Sequence, residues 1–240
     1  MDADLATQVS RIAALKDPVR RSLYELVASS EGPVGRDEAA AATGVPRALA
    51  AFHLDRLAEE GLLEVTFRRL TGRTGPGAGR PAKLYQRSVA EVEVTLPPRA
   101  YLLAARLMAE AIERAGRRAR PVAAELEDAA RELGRRMGKE AEARAGARAS
   151  RAKVRSALVD VLREHGYEPR WVDDEVVLAN CPFHALAQQS TELVCGMNLH
   201  VMEGARSVLN LPDGELLPQL APEPGRCCVT FGSRSPSGRV

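Results

Sequence analysis

Apolar residues recur at every third or fourth position through the first sixty residues, which is the spacing of helices that bury one face. The first such run extends from Leu5 to Val27 and contains Pro18, which predicts a break between two helices. A short helix over residues 36–43 precedes Gly44, and a second helix begins at Pro46. Two helices joined by a tight turn that contains glycine are typical of a helix-turn-helix.

The pattern changes from helical spacing to alternation after Gly61. Leu62 to Phe67 alternates as a strand, and residues 82–86 form a second short strand. Residues 71–81 between them are rich in glycine but lack the Gly-Lys-Ser/Thr ending of a phosphate-binding loop. The sequence therefore predicts a two-stranded hairpin behind the helices, which is the layout of a winged helix.

A proline pair at 97–98 separates this region from the rest of the chain. Residues 99–115 are apolar on more than one side, which predicts a helix buried against a second subunit. A longer helix follows Pro121, and short helices and strands alternate after residue 150. The predicted fold is mainly α with small sheets: an N-terminal winged helix-turn-helix domain over 1–96, central dimerisation helices over 97–150, and a C-terminal α+β sensor domain over 151–240.

The formal net charge of +2 conceals a strongly basic stretch. Residues 65–90 contain six Lys or Arg residues and no acidic residue, and such a local patch favours a polyanionic partner. The chain contains no run of the roughly 18 apolar residues that a membrane span requires. Its first residues also lack the apolar core of a secretion signal. We therefore expect a cytoplasmic protein that does not enter a membrane.

The second helix of the predicted helix-turn-helix has a face suited to DNA. At about 100° per residue, Ala50, Leu54 and Leu57 face the protein core, and small residues with an outward Phe52 occupy the other side. Small side chains allow close approach to base edges, and a phenyl ring suits a thymine methyl group. The alternative is that Phe52 packs on the hairpin and the arginines are merely solvated. The candidate DNA contacts are Arg47, Ala48, Ala51, Phe52, Arg56, Arg68, Arg69, Arg73, Arg80 and Lys83.

Four cysteines lie in the last quarter of the chain. Thirteen residues separate Cys181 from Cys195 and thirty-one separate Cys195 from Cys227, so the spacing matches neither a zinc finger nor a ferredoxin. A predicted strand over 227–231 places Cys227 on the buried face with Val229, and Cys228 on the other face. The candidate metal ligands are Cys181, Cys195 and Cys227, with Glu192, His184 or Cys228 as a possible fourth.

The cysteines admit several interpretations on spacing alone. Free cysteines are often small buried hydrophobes, and the same three thiols also suit zinc or a redox switch. Soft thiolates favour an iron–sulfur cluster or copper(I). A nucleophile–base pair of Cys181 and His184 lacks a third group to orient the base, so we do not expect an enzyme.

Two runs, Ala14 to Arg21 (ALKDPVRR) and Phe52 to Leu62 (FHLDRLAEEGL), resemble ArsR-type winged-helix repressors. The tract Gly79 to Tyr85 (GRPAKLY) and the run Asn180 to His184 (NCPFH), with Cys195 and Cys227, are similar to the SufR-like branch. The resemblance implies a homodimeric repressor that binds double-stranded DNA under the control of a cysteine-bound iron–sulfur cluster. The alternatives are a regulator that senses an organic ligand or zinc, with incidental cysteines, and more remotely a thiol enzyme.

Overall fold

The computed structural model describes residues 2–69 and 81–233, which form helices and two small antiparallel sheets. This confirms the predicted fold class at the level of secondary structure. Contacts divide the chain into two compact units, Met1–Val94 and Thr95–Val240. Within the described ranges, the helices are all too short or too polar to cross a membrane.

Residues 2–69 and 81–94 of the first unit form four helices and a three-stranded antiparallel sheet of order β1-β3-β2. The predicted break at Pro18 is confirmed, because proline occupies the first position of the second helix and the side chain of Asp17 caps it by accepting from the Arg20 amide at 2.9 Å. The elements are α1 Asp2–Ala14, α2 Pro18–Ser29, β1 Val34–Gly35, α3 Arg36–Thr43, α4 Arg47–Glu59, β2 Leu63–Arg68 and β3 Ala82–Arg87.

The turn between α3 and α4 depends on Gly44, whose φ of +69° is in the left-handed region that favours glycine. Ala40 is buried where the two helices pack together. The predicted inner face of α4 is confirmed, because Ala50, Leu54 and Leu57 are fully buried. The opposite face of α4 consequently points away from the core of this unit.

Up to residue 233, where its described part ends, the second unit combines five helices with a four-stranded antiparallel sheet of order β4-β5-β7-β6. Helices from the region predicted for dimerisation share one hydrophobic core with elements after residue 150. The role of residues 97–150 in dimerisation stays a prediction. The elements are α5 Tyr101–Arg118, α6 Val122–Ala145, α7 Arg151–Glu164, β4 Pro169–Val172, β5 Glu175–Leu178, α8 His184–Gln189, α9 Thr191–Ser207, β6 Leu217–Leu220 and β7 Val229–Gly232.

Helices α6 and α9 approach each other so closely that glycine is required at their contact. A Cβ atom at Gly134 would overlap the carbonyl oxygen of Val201, and a Cβ atom at Gly204 would overlap that of Arg131. Gly138 meets the carbonyl oxygen of Ala205 in the same way. Backbone contact with α6 therefore fixes α9, the helix that carries Cys195.

Candidate DNA-binding surface and thiol site

The outward face of α4 has the composition that the sequence predicts. Arg47 and Ala48 are exposed, Ala51 is half-buried, and Phe52 is 62 % exposed. The ring of Phe52 meets the buried imidazole of His53 edge to face, with the centroids 5.3 Å apart. Phe52 therefore remains accessible to a partner instead of packing into the core.

The hairpin strands add further cations beside an exposed aromatic ring. Arg68 and Arg69 are exposed and follow Phe67, which is 64 % exposed. Within the described ranges, neither arginine takes part in an ion pair. The other predicted contacts of this hairpin, Arg73 and Arg80, lie outside the described residues.

Three of the predicted DNA-contacting cations have acidic partners within the protein. Arg47 pairs with Asp37, Arg56 pairs with Glu59 at 3.2 Å and with Glu60 at 2.5 Å, and Lys83 pairs with Asp55 at 2.5 Å. Exposed pairs such as Arg47 with Asp37 contribute at most about 1 kcal/mol, so a phosphate can replace the carboxylate. The pair of Lys83 with Asp55 differs from these pairs, because Asp55 also accepts hydrogen bonds from Arg36 and Tyr85.

Asp55 joins α4 to α3 and to the hairpin. Its carboxylate accepts from the Tyr85 hydroxyl at 2.6 Å, from Arg36 Nη2 at 2.7 Å and from Lys83 Nζ at 2.5 Å. Burial acts to raise the pKa of Asp55, but the hydrogen bonds from Lys83, Tyr85 and Arg36 outweigh it and leave the pKa below its ordinary value. Sequence reasoning missed this role of Asp55, because the contact depends on the position of β3.

The cysteines predicted as metal ligands come from three separate segments of the second unit. Cys181 follows β5, Cys195 lies in α9, and Cys227 precedes β7; all three are buried, whereas Cys228 is half-buried. Strand β7 begins at Val229, two residues later than predicted. The predicted start of the strand is therefore wrong, because neither cysteine belongs to it, whereas the predicted burial of Cys227 is confirmed.

Hydrogen bonds connect the four thiols pairwise: Cys181 with Cys227, Cys227 with Cys228, and Cys228 with Cys195. A hydrogen bond with Cys227, reinforced by burial, raises the pKa of the Cys181 thiol well above its ordinary value. Cys181 acts in the opposite direction on Cys227, but a hydrogen bond with Cys228 and burial prevail and raise the pKa of Cys227 to about 12. Burial likewise raises the pKa of Cys195 against a hydrogen bond from Cys228. At neutral pH the three buried thiols are consequently protonated.

Metal binding would require these thiols to rearrange. Among the residues that the structure covers, no group of three or more His, Cys, Asp or Glu side chains is arranged to hold a metal ion. The donor type still suits a soft metal, since hydrogen bonds connect Cys181 with Cys227, Cys227 with Cys228 and Cys228 with Cys195. Metal binding would have to displace the thiol protons.

Two buried polar residues, Asn198 of α9 and Tyr167, form a chain of hydrogen bonds that ends at Cys227. Asn198 Nδ2 donates to Cys227 Sγ at 3.2 Å, and the hydroxyl of the fully buried Tyr167 donates to Asn198 Oδ1 at 2.6 Å. Asn198 lies three positions after Cys195 and therefore on the same side of the helix. Helical spacing could have identified Asn198 as part of the site, but nothing in the sequence singles out Tyr167.

The other candidate fourth ligands lie in different surroundings. His184 is exposed and lines a hollow of about 180 Å³ together with Cys181, Arg99 and Arg226. Glu192 is exposed and lines a different hollow, between α6 and the N-terminal part of α9. Of the three candidates, Cys228 is the one whose side chain contacts two of the other thiols.

Comparisons of the chain with protein-family models, with curated proteins and with solved structures give no match.

Proposed function

We propose that this protein is a DNA-binding transcriptional regulator and that residues 1–94 act as a winged helix-turn-helix. The observation that carries the proposal is the exposed face of α4, on which Arg47, Ala48 and Phe52 are accessible. A helix with small and cationic residues on its outer face is suited to the major groove. The hairpin with Arg68 and Arg69 would then contact phosphates beside the groove.

The arrangement of secondary structure supports the same interpretation. Helices α3 and α4 are joined by the turn at Gly44, and the antiparallel pair β2–β3 follows α4 in the chain. The register pairs Leu63 with Arg87 and Arg68 with Ala82, so Arg68 lies at the end of the hairpin that leads into residues 70–80. Residues 70–80, between the strands, contribute Arg73 and Arg80 to the same basic stretch of sequence.

The proposal for the second unit is a sensor whose thiols bind an iron–sulfur cluster. Cys181, Cys195, Cys227 and Cys228 would hold the cluster, which would supply a redox-sensitive and oxygen-sensitive group. The support is the soft, all-sulfur donor set and the buried neighbours Asn198 and Tyr167. Zinc bound by the same sulfurs is the alternative. We also propose that the regulator acts as a homodimer on paired half-sites.

Charge reversal on the outer face tests the DNA-binding part. A double-stranded fragment selected from a random-sequence pool by the wild-type protein serves as the probe in fluorescence anisotropy. The double variant Arg47→Glu/Arg68→Glu is expected to bind it at least tenfold more weakly than wild type. Arg163→Glu/Arg170→Glu, with the same charge change at exposed positions of the second unit, serves as control. Equal loss in both variants, or loss in neither, would contradict the proposal.

Anaerobic purification tests the thiol site independently of DNA. Iron, acid-labile sulfide, zinc and visible absorbance are measured for wild type and for Cys195→Ser. The wild-type protein is expected to contain iron and sulfide and to absorb visible light. Cys195→Ser is expected to lose the iron, the sulfide and the absorbance. Zinc without sulfide would favour the alternative, and a colourless, metal-free protein after reconstitution with ferrous iron and sulfide would exclude both.

A further inference from the structure

Helix α7 and strand β4 border a hollow on the surface of the second unit that is separate from the thiols. Its volume is about 560 Å³, which is within the range of sites for small organic molecules. One wall is a face of α7 on which Arg151, Arg155 and Val159 follow each other at intervals of four residues. Trp171 of β4 and Glu215, which precedes β6, complete the lining.

The side chain of Arg155 contacts both of the other walls. Its guanidinium carbon lies 4.3 Å from the centroid of the Trp171 ring, and its Nη1 lies 3.3 Å from Glu215 Oε1. A guanidinium group stacked on an indole ring is attracted to the ring face. The two contacts therefore fix the orientation of Arg155 before any ligand is bound.

The hydrogen-bond donors of Arg155 remain available. A guanidinium group has five N–H donors in a planar fork, and Arg155 donates no hydrogen bond to any of the described residues. Arg144 shows how such a fork is used elsewhere in α6, since its Nη1 and Nη2 donate to the two carboxylate oxygens of Glu164 at 2.7 and 2.6 Å. The fork of Arg155 is oriented but lacks such a pair of oxygens, so a carboxylate of a ligand would fit it.

The charge of the hollow also favours an anion. Arg151, one turn before Arg155 on the same face of α7, is exposed and forms no ion pair with the described residues. Glu215 is the carboxylate that lines the hollow together with these two arginines. The lining therefore carries an excess of one positive charge, which one carboxylate neutralises.

An aromatic and an aliphatic side chain face the same space. Trp171 is 41 % exposed, and Val159, which also lines the hollow, is buried. Strand β4 is at the edge of its sheet, so Trp171 lies at the border of the unit. An exposed indole ring beside a cation offers a flat apolar surface on which another aromatic ring can pack.

We propose that this hollow binds a small carboxylic acid that carries an aromatic ring. The carboxylate pairs with Arg155 and Arg151, and the ring packs against Trp171 and Val159. Glu215 holds Arg155 in position. The inference goes beyond the proposed function and is independent of it, because neither DNA nor a metal takes part in the binding.

The indole N–H resonance of Trp171 reports on this site directly, because the chain contains one tryptophan. Isotope-labelled wild-type protein is titrated with benzoate and naphthoate, and with the uncharged analogues benzamide and naphthamide. At least one of the two carboxylates is expected to shift the resonance saturably at millimolar or lower concentration. Its affinity should exceed that of its amide at least tenfold, because the amide lacks the charge that Arg155 pairs with. Acetate, which has the charge but no ring, should also bind at least tenfold more weakly.

The variant Arg155→Gln tests the role of the guanidinium group. It is expected to weaken binding of the carboxylate at least tenfold, whereas Arg163→Gln, at an exposed position of the same helix, should bind as wild type does. Unchanged affinity in a folded Arg155→Gln protein would overturn the proposal. So would the absence of a saturable shift with either carboxylate, or equal affinity for acid and amide. These last two results come from the wild-type protein alone and decide the matter even if Arg155→Gln does not fold. Loss of DNA binding, by contrast, would refute the proposed function and leave this site unaffected.

Discussion

The hydroxyl of Tyr85 donates to the carboxylate of Asp55 at 2.6 Å and thereby joins the centre of α4 to strand β3. Burial, together with this bond, raises the pKa of Tyr85 to about 12, so the phenol remains a donor at every physiological pH. The relative position of the helix and the hairpin, the two parts of the proposed DNA-binding surface, depends on this bond.

Replacing Asp55 with Ala should destabilise the first unit. The change leaves the buried Tyr85 hydroxyl and the Lys83 ammonium without their acceptor and removes one of the two acceptors of Arg36, which costs roughly 1–3 kcal/mol. Urea unfolding followed by circular dichroism measures the loss. The control is Asp37→Ala, which removes one exposed ion pair with Arg47 and should cost less than about 1 kcal/mol. Similar losses in both variants would show that Asp55 is only a surface carboxylate.

Lys83 and Arg68 should affect the salt dependence of DNA binding differently. Each phosphate contact contributes about 0.9 to the slope of log affinity against log salt concentration. Arg68→Met is expected to reduce the slope by about that amount, because Arg68 is exposed and outside the ion pairs of the described residues. Lys83→Met should change the slope by less, because Asp55 already neutralises the ammonium group. Equal slope changes would mean that Lys83 leaves Asp55 for a phosphate.

The metal-free protein should lose stability as the pH rises above about 9. The pKa values of Cys181, Cys195 and Cys227 are raised above the value of 9.0 that applies to an unperturbed thiol. The unfolded chain therefore releases these protons first, and alkaline pH favours unfolding. Each fully protonated thiol contributes a decrease of up to about 1.4 kcal/mol per pH unit in the free energy of unfolding.

Unfolding by urea at pH 8, 9 and 10 under reducing conditions measures this dependence. Between pH 9 and 10 the thiols dominate, because an unperturbed tyrosine ionises only near 10. Cys227→Ala should show a shallower decrease than wild type. A stability that stays constant from pH 8 to 10 would contradict the assignment of three protonated, buried thiols.

Glycine at the α6–α9 contact should be intolerant of substitution. Gly134→Ala would place a methyl group on the carbonyl oxygen of Val201, and separating the helices would cost at least about 2–3 kcal/mol. Gly116→Ala in α5 is the matched control, because no atom lies within 4 Å of the added methyl group. The control should be neutral or stabilising by up to about 1 kcal/mol. Thermal unfolding of both variants provides the comparison.

Local pattern was sufficient to predict the helices of the first unit and strands β2 and β3, but it missed the two-residue strand β1, which pairs with β3. Helical spacing identified Ala50, Leu54 and Leu57 as the inner face of α4, because amphipathic periodicity is a property of consecutive residues. The predicted start of the last strand at Cys227 was two residues too early, because the end of a strand is set by pairing with its neighbour and not by the strand's own sequence.

The long-range contacts of both sites were outside the reach of sequence reasoning. Asp55 and Tyr85 are 30 positions apart, and Tyr167 and Asn198 are 31 positions apart. Such pairs depend on how whole elements dock, and no spacing rule connects them. The interactions among the thiols of Cys181, Cys195, Cys227 and Cys228 likewise required the tertiary structure.

The glycines of α6 and α9 have a mechanical consequence for any signal that starts at Cys195. Two helices whose main chains touch cannot slide along each other or rotate without first moving apart. The α6–α9 pair is therefore rigid. A structural change at the sulfur atoms is then accommodated by residues 179–183 and 221–228, which lie outside these two helices. Substitutions designed to change the response of the proposed sensor should therefore begin with those two stretches and leave the helices unchanged.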